Sequence, residues 1–259
     1  MPNKIDERAI IHSTAKIADD VEIGPWTLIG SQVEIGVGTV VGSHVVVKEN
    51  TKIGQHNKIH AFSSLGGDPQ HKDYAGAETF LEIGDHNVIR EFCTISRGTE
   101  EGGGVTRVGN GNFLMAYVHI AHDCIVGNET VFVNNSSLSG HVHVNDFARL
   151  GGFVGVHQFC SIGAYSFVSR AAMVAQDVLP YLLVANNPIS VYGLNKVGLK
   201  RRGFTAQTLT HLQKAYKIIF NSKLLVTDAI AELEKMLIIC PEVKLLVDSL
   251  SKSERGIVR

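Results

Sequence analysis

Four histidines in the middle of the chain are spaced so that a coiled backbone would bring their imidazoles together. His122 and His141 are 19 residues apart, and His157 follows His141 after 16 residues. Both intervals are close to 18, so a coil of that length places these three side chains on one edge, with His119 on the adjoining side. Stacked imidazoles titrate near neutral pH, and they can supply a general base and groups that bind oxygen atoms.

Two other interpretations of the same histidines stay open at this point. Three imidazoles can hold zinc with one open coordination position, as in a carbonic anhydrase of the β-helix type. The histidines could also form a polar stripe that faces solvent or lines an interface. The remaining histidines of the repeat are expected to have no role in chemistry; they include His12, His44, His56, His60 and His86.

The element that would position these histidines is a six-residue repeat. Aliphatic residues or phenylalanine recur at every sixth position from Ile5 to Leu65, from Ile83 to Ile95 and from Val108 to Val174. Glycine often follows directly, as in Ile23-Gly24. A period of six suits a short strand with a turn, and three such sides close into a prism with 18 residues per coil. The aliphatic side chains would fill the prism, so a site must lie outside it or between subunits.

Breaks in the repeat predict the domain organisation. Residues 66–82 and 96–107 contain Gly, Pro and charged residues and predict two insertion loops. The repeat ends near Pro180, and helical periodicity begins at Thr205, with a first helix to 221–222 and further helices over 227–238 and 241–250. The sequence therefore predicts an all-β parallel β-helix over 1–185, followed by a small α-helical domain over 186–259.

Composition excludes several classes of protein. The formal net charge of −1 gives no electrostatic case for nucleic acid as the main partner. The four cysteines lie far apart without a CxxC pair, which argues against a disulfide scaffold or a thiolate zinc site. No run approaches the length of a membrane span, and the N-terminus has charges where a signal peptide is apolar. We expect a soluble cytoplasmic protein.

Five segments resemble the UDP-N-acetylglucosamine O-acyltransferases that open lipid A synthesis. They are HIAHDC at 119–124, SGHV at 139–142, VHQF at 156–159, QDV at 176–178 and GLKRRGF at 198–204. The resemblance implies a homotrimer of left-handed β-helices with active sites between neighbouring prisms. It also implies transfer of a (3R)-hydroxyacyl chain from acyl carrier protein to the 3-position of UDP-N-acetylglucosamine, with no metal or cofactor.

The resemblance also implies roles for individual residues. His122 matches the general base, Asp123 would hold its tautomer, and the backbone N–H of Gly140 would bind the oxyanion. Residues that match substrate-binding positions are Gln70, His71, Lys72, Asp73, His119, His141, His157, Gln158, Asn195, Arg201 and Arg202. Basic residues that could meet an acidic carrier protein are Lys200, Arg201, Arg202, Lys214, Lys217 and Lys223.

The chain departs from the family pattern at two places that bear on specificity. The first insertion has Gln70-His71-Lys72-Asp73-Tyr74 where the family usually has Gln-Asp-Leu-Lys-Tyr. This change leaves open whether the acceptor at the sugar 3-position is a hydroxyl or an amine. Arg170 occupies the position whose side-chain size limits acyl length in the family, so we expect a shorter acyl chain than with glycine there.

Two further alternatives remain at the level of sequence. The related N-acyltransferase of the same pathway carries an additional N-terminal domain, and a repeat that begins at Ile5 leaves no room for one. A non-enzymatic β-helix that binds a sugar nucleotide would have the same repeat, and His122 would then be replaceable without loss of binding.

Overall fold

A computed structural model of the chain describes residues 2–222 and 224–259, and it confirms the predicted parallel β-helix. Most strands are only two residues long, as a repeat of six requires when the rest of each repeat makes the turn. In chain order the strands are β1 (Lys4–Ile5), β2 (Ile10–Ile11), β3 (Lys16–Ile17), β4 (Glu22–Ile23), β5 (Leu28–Ile29), β6 (Glu34–Ile35), β7 (Val40–Val41), β8 (Val46–Val47), β9 (Thr51–Ile53), β10 (Lys58–Ile59), β11 (Ser64–Gly67), β12 (Phe80–Ile83), β13 (Val88–Ile89), β14 (Thr94–Ser96), β15 (Val105–Val108), β16 (Phe113–Leu114), β17 (His119–Ile120), β18 (Ile125–Val126), β19 (Val131–Phe132), β20 (Ser137–Leu138), β21 (His143–Val144), β22 (Arg149–Leu150), β23 (Gly155–Val156), β24 (Ser161–Ile162), β25 (Phe167–Val168), β26 (Met173–Val174), β27 (Leu182–Ala185) and β28 (Ser190–Leu194).

Every third strand pairs in parallel, which gives the prism three faces. Sheet A begins β1-β4-β7 and ends β25-β27-β28, sheet B runs from β2 to β26, and sheet C runs from β3 to β24. We name the turns between faces the A–B, B–C and C–A corners. Register keeps equivalent repeat positions on top of each other, so that Ile5 pairs with Ile23 and Ile120 with Leu138.

The aliphatic ladder fills the prism as predicted. Ile23, Ile53, Leu114 and Leu138 are all at most 2% exposed, and each such side chain contributes about 1.5–3 kcal/mol on burial. The first coil differs, since Ile5 is 43% exposed. No coil precedes it in the described structure, so its ladder residue lacks a neighbour on one side.

Most corners place one residue in the left-handed region of the backbone. Trp26 has φ of 61°, and Asp123 and His141 both have φ of 60°. The glycine that often follows the ladder residue has a different role, because Gly24 is not among the residues with positive φ. A Cβ on Gly24 would instead lie 2.8 Å from the backbone of Gly42, so glycine is needed there for close packing of coils.

Strand pairing extends further into the two predicted insertions than expected. Residues 80–83 and 105–108 form β12 and β15, which pair along their whole length, so the irregular segments are only 68–79 and 97–104. The hydrogen bonds that bridge the enlarged coils span 30 and 25 residues in place of 18.

The C-terminal part is helical, and the first predicted helix is confirmed. The helices are α1 (Lys196–Arg201), α2 (Ala206–Asn221), α3 (Val226–Glu234) and α4 (Lys244–Lys252), with a 3₁₀ turn at Pro241–Val243 before α4. Thr205 caps α2 through its side chain, as a helix N-terminus requires. Residues 181–203, between the end of the repeat and the first predicted helix, contain β27, the antiparallel β28 and α1. The division of the chain at 185–186 stays a prediction, although sheet A runs past it to Leu194.

The C-terminal segment returns to the prism. Asp177 accepts hydrogen bonds from Ser161 N–H at 2.7 Å and Ser253 Oγ at 2.6 Å, and its own N–H donates to the Gly256 carbonyl. Within the described residues, no helix is both long and apolar enough to cross a membrane.

Candidate active site

The centre of the candidate site is a buried pair, His122 and Asp123, at the B–C corner. Nδ1 of His122 lies 2.8 Å from Oδ2 of Asp123, and the side chains are 11% and 1% exposed. Asp123 also accepts from the Thr99 N–H at 2.8 Å on Oδ1 and from the Thr99 hydroxyl at 2.7 Å on Oδ2. A carboxylate surrounded by donors accepts a proton-bearing Nδ1, which leaves the lone pair of His122 on Nε2.

Gly140 of the next coil lies against the His122 ring. A Cβ at this position would be 2.5 Å from Cε1 and 2.8 Å from Nε2 of His122. The Gly140 carbonyl accepts from the Phe159 N–H at 3.2 Å, while among the described residues none accepts a hydrogen bond from the Gly140 N–H. The arrangement therefore places Nε2 of His122 against Gly140, whose N–H has no acceptor among the described residues.

Two further predicted histidines lie beside this pair. The His141 ring is perpendicular to that of His122 at 5.3 Å between centroids, and its Nε2 is 3.6 Å from Oδ2 of Asp123. His119, on sheet B, has Nδ1 2.7 Å from the Thr94 hydroxyl. Burial lowers the pKa of both His119 and His141, which favours neutral imidazoles that can donate or accept hydrogen bonds.

The three histidines share the B–C corner, as the 18-residue spacing predicts, but their imidazoles do not stack on one another. His157 is at the same corner, but Phe159 is the residue that stacks on His141, at 4.6 Å between ring centroids. His157 instead has Nδ1 3.1 Å from the Gln158 carbonyl and 3.2 Å from Arg255 Nη2. The reason is that His157 precedes the left-handed position of its corner by two residues, whereas His141 occupies that position.

The first insertion brings His71 to the site. Its ring meets the His122 ring edge-on at 5.4 Å between centroids, while Gln70, Lys72 and Asp73 are exposed. Within the described residues, His71 is the member of the altered loop motif that contacts the His122–Asp123 pair.

A buried arginine holds this insertion in place. Arg97 pairs with Glu49 at 2.7 Å and with Asp68 at 2.5 Å, and its Nε donates to the Tyr74 hydroxyl at 3.2 Å. Asp68 and Tyr74 both belong to the segment 68–79. Arg97 therefore anchors to the prism the loop that carries His71.

The residues predicted to bind the nucleotide lie at a different corner. Asn195 caps α1 through the Gly198 N–H at 3.1 Å and donates to the Tyr165 carbonyl at 3.0 Å. The Arg202 guanidinium lies over the Phe147 ring at 4.6 Å. Together with Arg201 these side chains line a cavity of about 220 Å³ at the C–A corner. Arg170 is exposed at the third corner, between sheets A and B.

The basic residues considered for a carrier protein are only partly described. Lys200, Lys214 and Lys217 line one cavity of about 510 Å³ beside α2. Lys223 lies outside the described residues. Within a single chain, six of the predicted site residues lie together: His71, His119, His122, Asp123, Gly140 and His141. Four others lie at different corners of the prism: Asn195, Arg201, Arg202 and Arg170.

Sequence reasoning missed the residues that support this centre. Thr99 and Gly102 of the second insertion contact Asp123, and Arg97 anchors the first insertion. The run Gly102-Gly103-Gly104 was a signal for close backbone approach, but the six-residue period gives no register for residues inside an insertion.

The fold and the buried His–Asp pair define the class of protein as a hexapeptide-repeat transferase, and residues 106–140 match the family described as bacterial transferase hexapeptide (six repeats). Residues 177–258 match the second domain of UDP-N-acetylglucosamine O-acyltransferase. The chain belongs to the UDP-N-acetylglucosamine O-acyltransferase family, because it is also similar over its whole length to curated members.

Three relatives document the similarity. The acyl-[acyl-carrier-protein]–UDP-N-acetylglucosamine O-acyltransferase of Thiobacillus denitrificans is 55% identical over 255 residues, which cover 98% of this chain and 99% of the relative. The crystal structure of UDP-N-acetylglucosamine O-acyltransferase from Moraxella catarrhalis is 48% identical with a TM-score of 0.97, covering 98% and 99% of the two chains. The Acinetobacter baumannii structure is 47% identical, with the same TM-score and coverage.

Proposed function

We propose that this acyl-[acyl-carrier-protein]–UDP-N-acetylglucosamine O-acyltransferase uses His122 as the general base for the first step of lipid A synthesis. The observation that carries the proposal is the buried His122–Asp123 pair, whose 2.8 Å hydrogen bond leaves Nε2 of His122 free. The substrates are a (3R)-hydroxyacyl-[acyl carrier protein] and UDP-N-acetylglucosamine.

The reaction follows from the atoms around Nε2. As the sugar 3-hydroxyl oxygen attacks the thioester carbonyl carbon, Nε2 of His122 takes the hydroxyl proton, and the Asp123 carboxylate stabilises the imidazolium that forms. The carbonyl oxygen becomes an oxyanion, which the Gly140 N–H stabilises. When the tetrahedral intermediate collapses, the C–S bond breaks, and His122 returns its proton to the thiolate of the carrier protein.

Hydrogen bonding at Asp123 favours this acid–base chemistry over zinc chemistry. Ligand atoms of His122, Asp123 and His141 lie within 4.8 Å of one another, so a cation site has a geometric basis. However, both oxygens of Asp123 already accept hydrogen bonds, from the Thr99 N–H and from the Thr99 hydroxyl and His122. A metal ion bound to Asp123 would have to displace these hydrogen-bond donors, whereas proton transfer at His122 leaves them in place.

The proposal includes a homotrimer with sites between neighbouring prisms. Its support is that four predicted site residues lie at other corners of the chain than His122. They are Asn195, Arg201 and Arg202 at the C–A corner and Arg170 at the A–B corner. An apolar column at the A–B corner also needs a cover: Phe62, Phe92 and Tyr117 stack on one another although each is 43–56% exposed. Arg170 is exposed at the same A–B corner, so a second copy that covers this column would lie beside it. A solution mass of three chains is expected, and a monomeric active enzyme would contradict this part.

An acyl-transfer assay tests the function directly. The purified protein is incubated with (3R)-hydroxyacyl carrier proteins of graded length and with either UDP-N-acetylglucosamine or its 3-amino analogue, and the products are identified by mass spectrometry. We expect acylation of the 3-hydroxyl. The amine arm measures whether His71 and Asp73, which replace the family residues, change the acceptor. Absence of transfer to both acceptors from every carrier would contradict the proposal.

A further inference from the structure

We propose that the second insertion is a clamp for the catalytic carboxylate, in which Thr99 acts as a positioning residue for Asp123 and Gly102 makes room for it. We call these two residues the Thr99 clamp. The inference deepens the proposed function and rests on it, because a role for Thr99 in turnover requires that His122 is the base.

The direction of each hydrogen bond in the clamp follows from counting donors. The Thr99 hydroxyl oxygen accepts from the Gly102 N–H at 3.1 Å, so its own proton is free to point to Oδ2 of Asp123 at 2.7 Å. The Thr99 N–H donates to Oδ1 at 2.8 Å. Thr99 therefore binds both carboxylate oxygens at once, as a two-point contact that fixes rotation of the carboxylate plane.

Gly102 closes the clamp from the other side. A Cβ at position 102 would lie 2.1 Å from Cγ of Asp123 and 2.3 Å from both carboxylate oxygens. Glycine is therefore the residue that lets the insertion pass this close to the carboxylate. The Asp123 N–H adds a further tie, because it donates to the Thr106 hydroxyl at 2.8 Å.

The insertion is itself anchored, so the clamp has a rigid base. The Gly98 N–H donates to the Phe80 carbonyl at 3.1 Å, and the Phe80 N–H donates to the Gly104 carbonyl at 2.8 Å. Both ends of the segment are thus bound to β12. Inside it, the Gly104 N–H donates to the Thr99 carbonyl at 2.8 Å, which closes the loop behind the threonine.

The consequence for catalysis is control of the His122 tautomer and of the direction of Nε2. Oδ2 receives both the Thr99 hydroxyl and Nδ1 of His122, so a carboxylate that rotates loses its geometry toward the imidazole. Without the hydroxyl, one backbone N–H remains, and it binds the other oxygen. We infer that the hydroxyl of Thr99 keeps the proton of His122 on Nδ1 and the lone pair aimed at the substrate.

The test compares Thr99→Val, which keeps the shape and the backbone N–H but removes the hydroxyl, with Thr99→Ser, which restores it. The matched control is Thr130→Val. Thr130 is fully buried and also donates through both its N–H, at 2.9 Å, and its hydroxyl, at 2.6 Å, but to a single uncharged oxygen, Oδ1 of Asn112, away from the site. Each variant is checked for unchanged melting behaviour before its kcat, KM and His122 tautomer are measured.

We expect Thr99→Val to lower kcat about 10- to 100-fold, as the loss of one hydrogen bond to a charged group predicts, with KM for UDP-N-acetylglucosamine nearly unchanged. Thr99→Ser should recover most of kcat, and Thr130→Val should keep it. Long-range ¹H–¹⁵N spectra of histidine-labelled protein, assigned with His122→Gln, should show the Nδ1–H tautomer at His122 in the parent enzyme and a mixture of tautomers in Thr99→Val.

Normal kcat and an unchanged His122 tautomer in Thr99→Val would overturn the clamp. Equal loss of kcat in Thr130→Val would also overturn it, because the effect would then be one of general stability. Failure of the proposed function has a different signature, since His122→Ala would then retain turnover whatever the Thr99 variants do.

Discussion

His122 and Gly140 are in contact across successive coils of the prism. A Cβ on residue 140 would stand 2.5–3.1 Å from three atoms of the His122 ring. The position of the His122 imidazole therefore depends on the absence of a side chain one coil away. This contact joins the base to the predicted oxyanion donor, so that both are set by the register of sheet B.

Gly140→Ala should lower kcat about 100-fold or more, as expected when a positioned general base is displaced. The added methyl group pushes the His122 ring away from the position that Asp123 gives it. Steady-state kinetics with a saturating carrier substrate measure the effect. Gly67→Ala is the control, because a Cβ there meets nothing closer than 4.0 Å. Equal kinetics for the two variants would show that residue 140 does not define the site.

Arg170→Gly should shift the preferred acyl chain to greater length. The exposed guanidinium at the A–B corner would close or cap the end of an acyl groove, and glycine removes this barrier. Competition between (3R)-hydroxyacyl carrier proteins of different lengths, read by product mass, gives the profile. Arg8→Gly is the matched loss of one arginine, because Arg8 is exposed at the A–B corner of the first coil. An unchanged length profile in Arg170→Gly would reject the assignment.

Acidification should destabilise the fold through the site histidines. Burial lowers the pKa of His119 and His141 below the usual 6.5. For His141, burial is the main cause, and the nearby imidazoles of His122, His71 and His143 also lower the pKa. Together they outweigh the Asp123 carboxylate, whose negative charge raises it. The unfolded chain then binds more protons than the folded chain, so stability falls as the pH drops through about 6.5.

Melting temperatures measured between about pH 7.5 and about pH 5.5 test this sign. The double variant His119→Gln and His141→Gln should have a smaller loss of melting temperature over this range than the parent protein. His12→Gln, with its exposed side chain, is the control. A parent protein that becomes more stable on acidification would contradict the expected direction.

How far the sequence predicts the structure depends on whether a residue follows the repeat. His122, Asp123, Gly140 and His141 lie at fixed positions of six-residue units, so the 18-residue coil predicts that they meet. Thr99 lies between strands β14 and β15, where no period applies, and its contact with Asp123 depends on the path of an insertion.

The same distinction explains the errors at the edges of the repeat. β28 pairs antiparallel with β27. It was not predicted because the six-residue pattern, which indicates parallel coils, ends before it. The interval from His141 to His157 is 16 residues and not 18, so His157 lies two positions before the residue equivalent to His141. That residue is Phe159, and it stacks on His141. Short-range patterns predict the ladder, whereas tertiary contacts decide which side chains reach the site.

The role of His122 as the base is tested by the turnover of His122→Ala with the carrier-protein substrate and UDP-N-acetylglucosamine. We predict a loss of about 10²- to 10⁴-fold in kcat, the usual contribution of a positioned general base, with the melting temperature retained because the side chain lies outside the prism. His157→Ala, at the same corner but without contact to Asp123, should lose much less of its kcat. Near-normal turnover of His122→Ala would contradict the assignment of the base and the mechanism built on it.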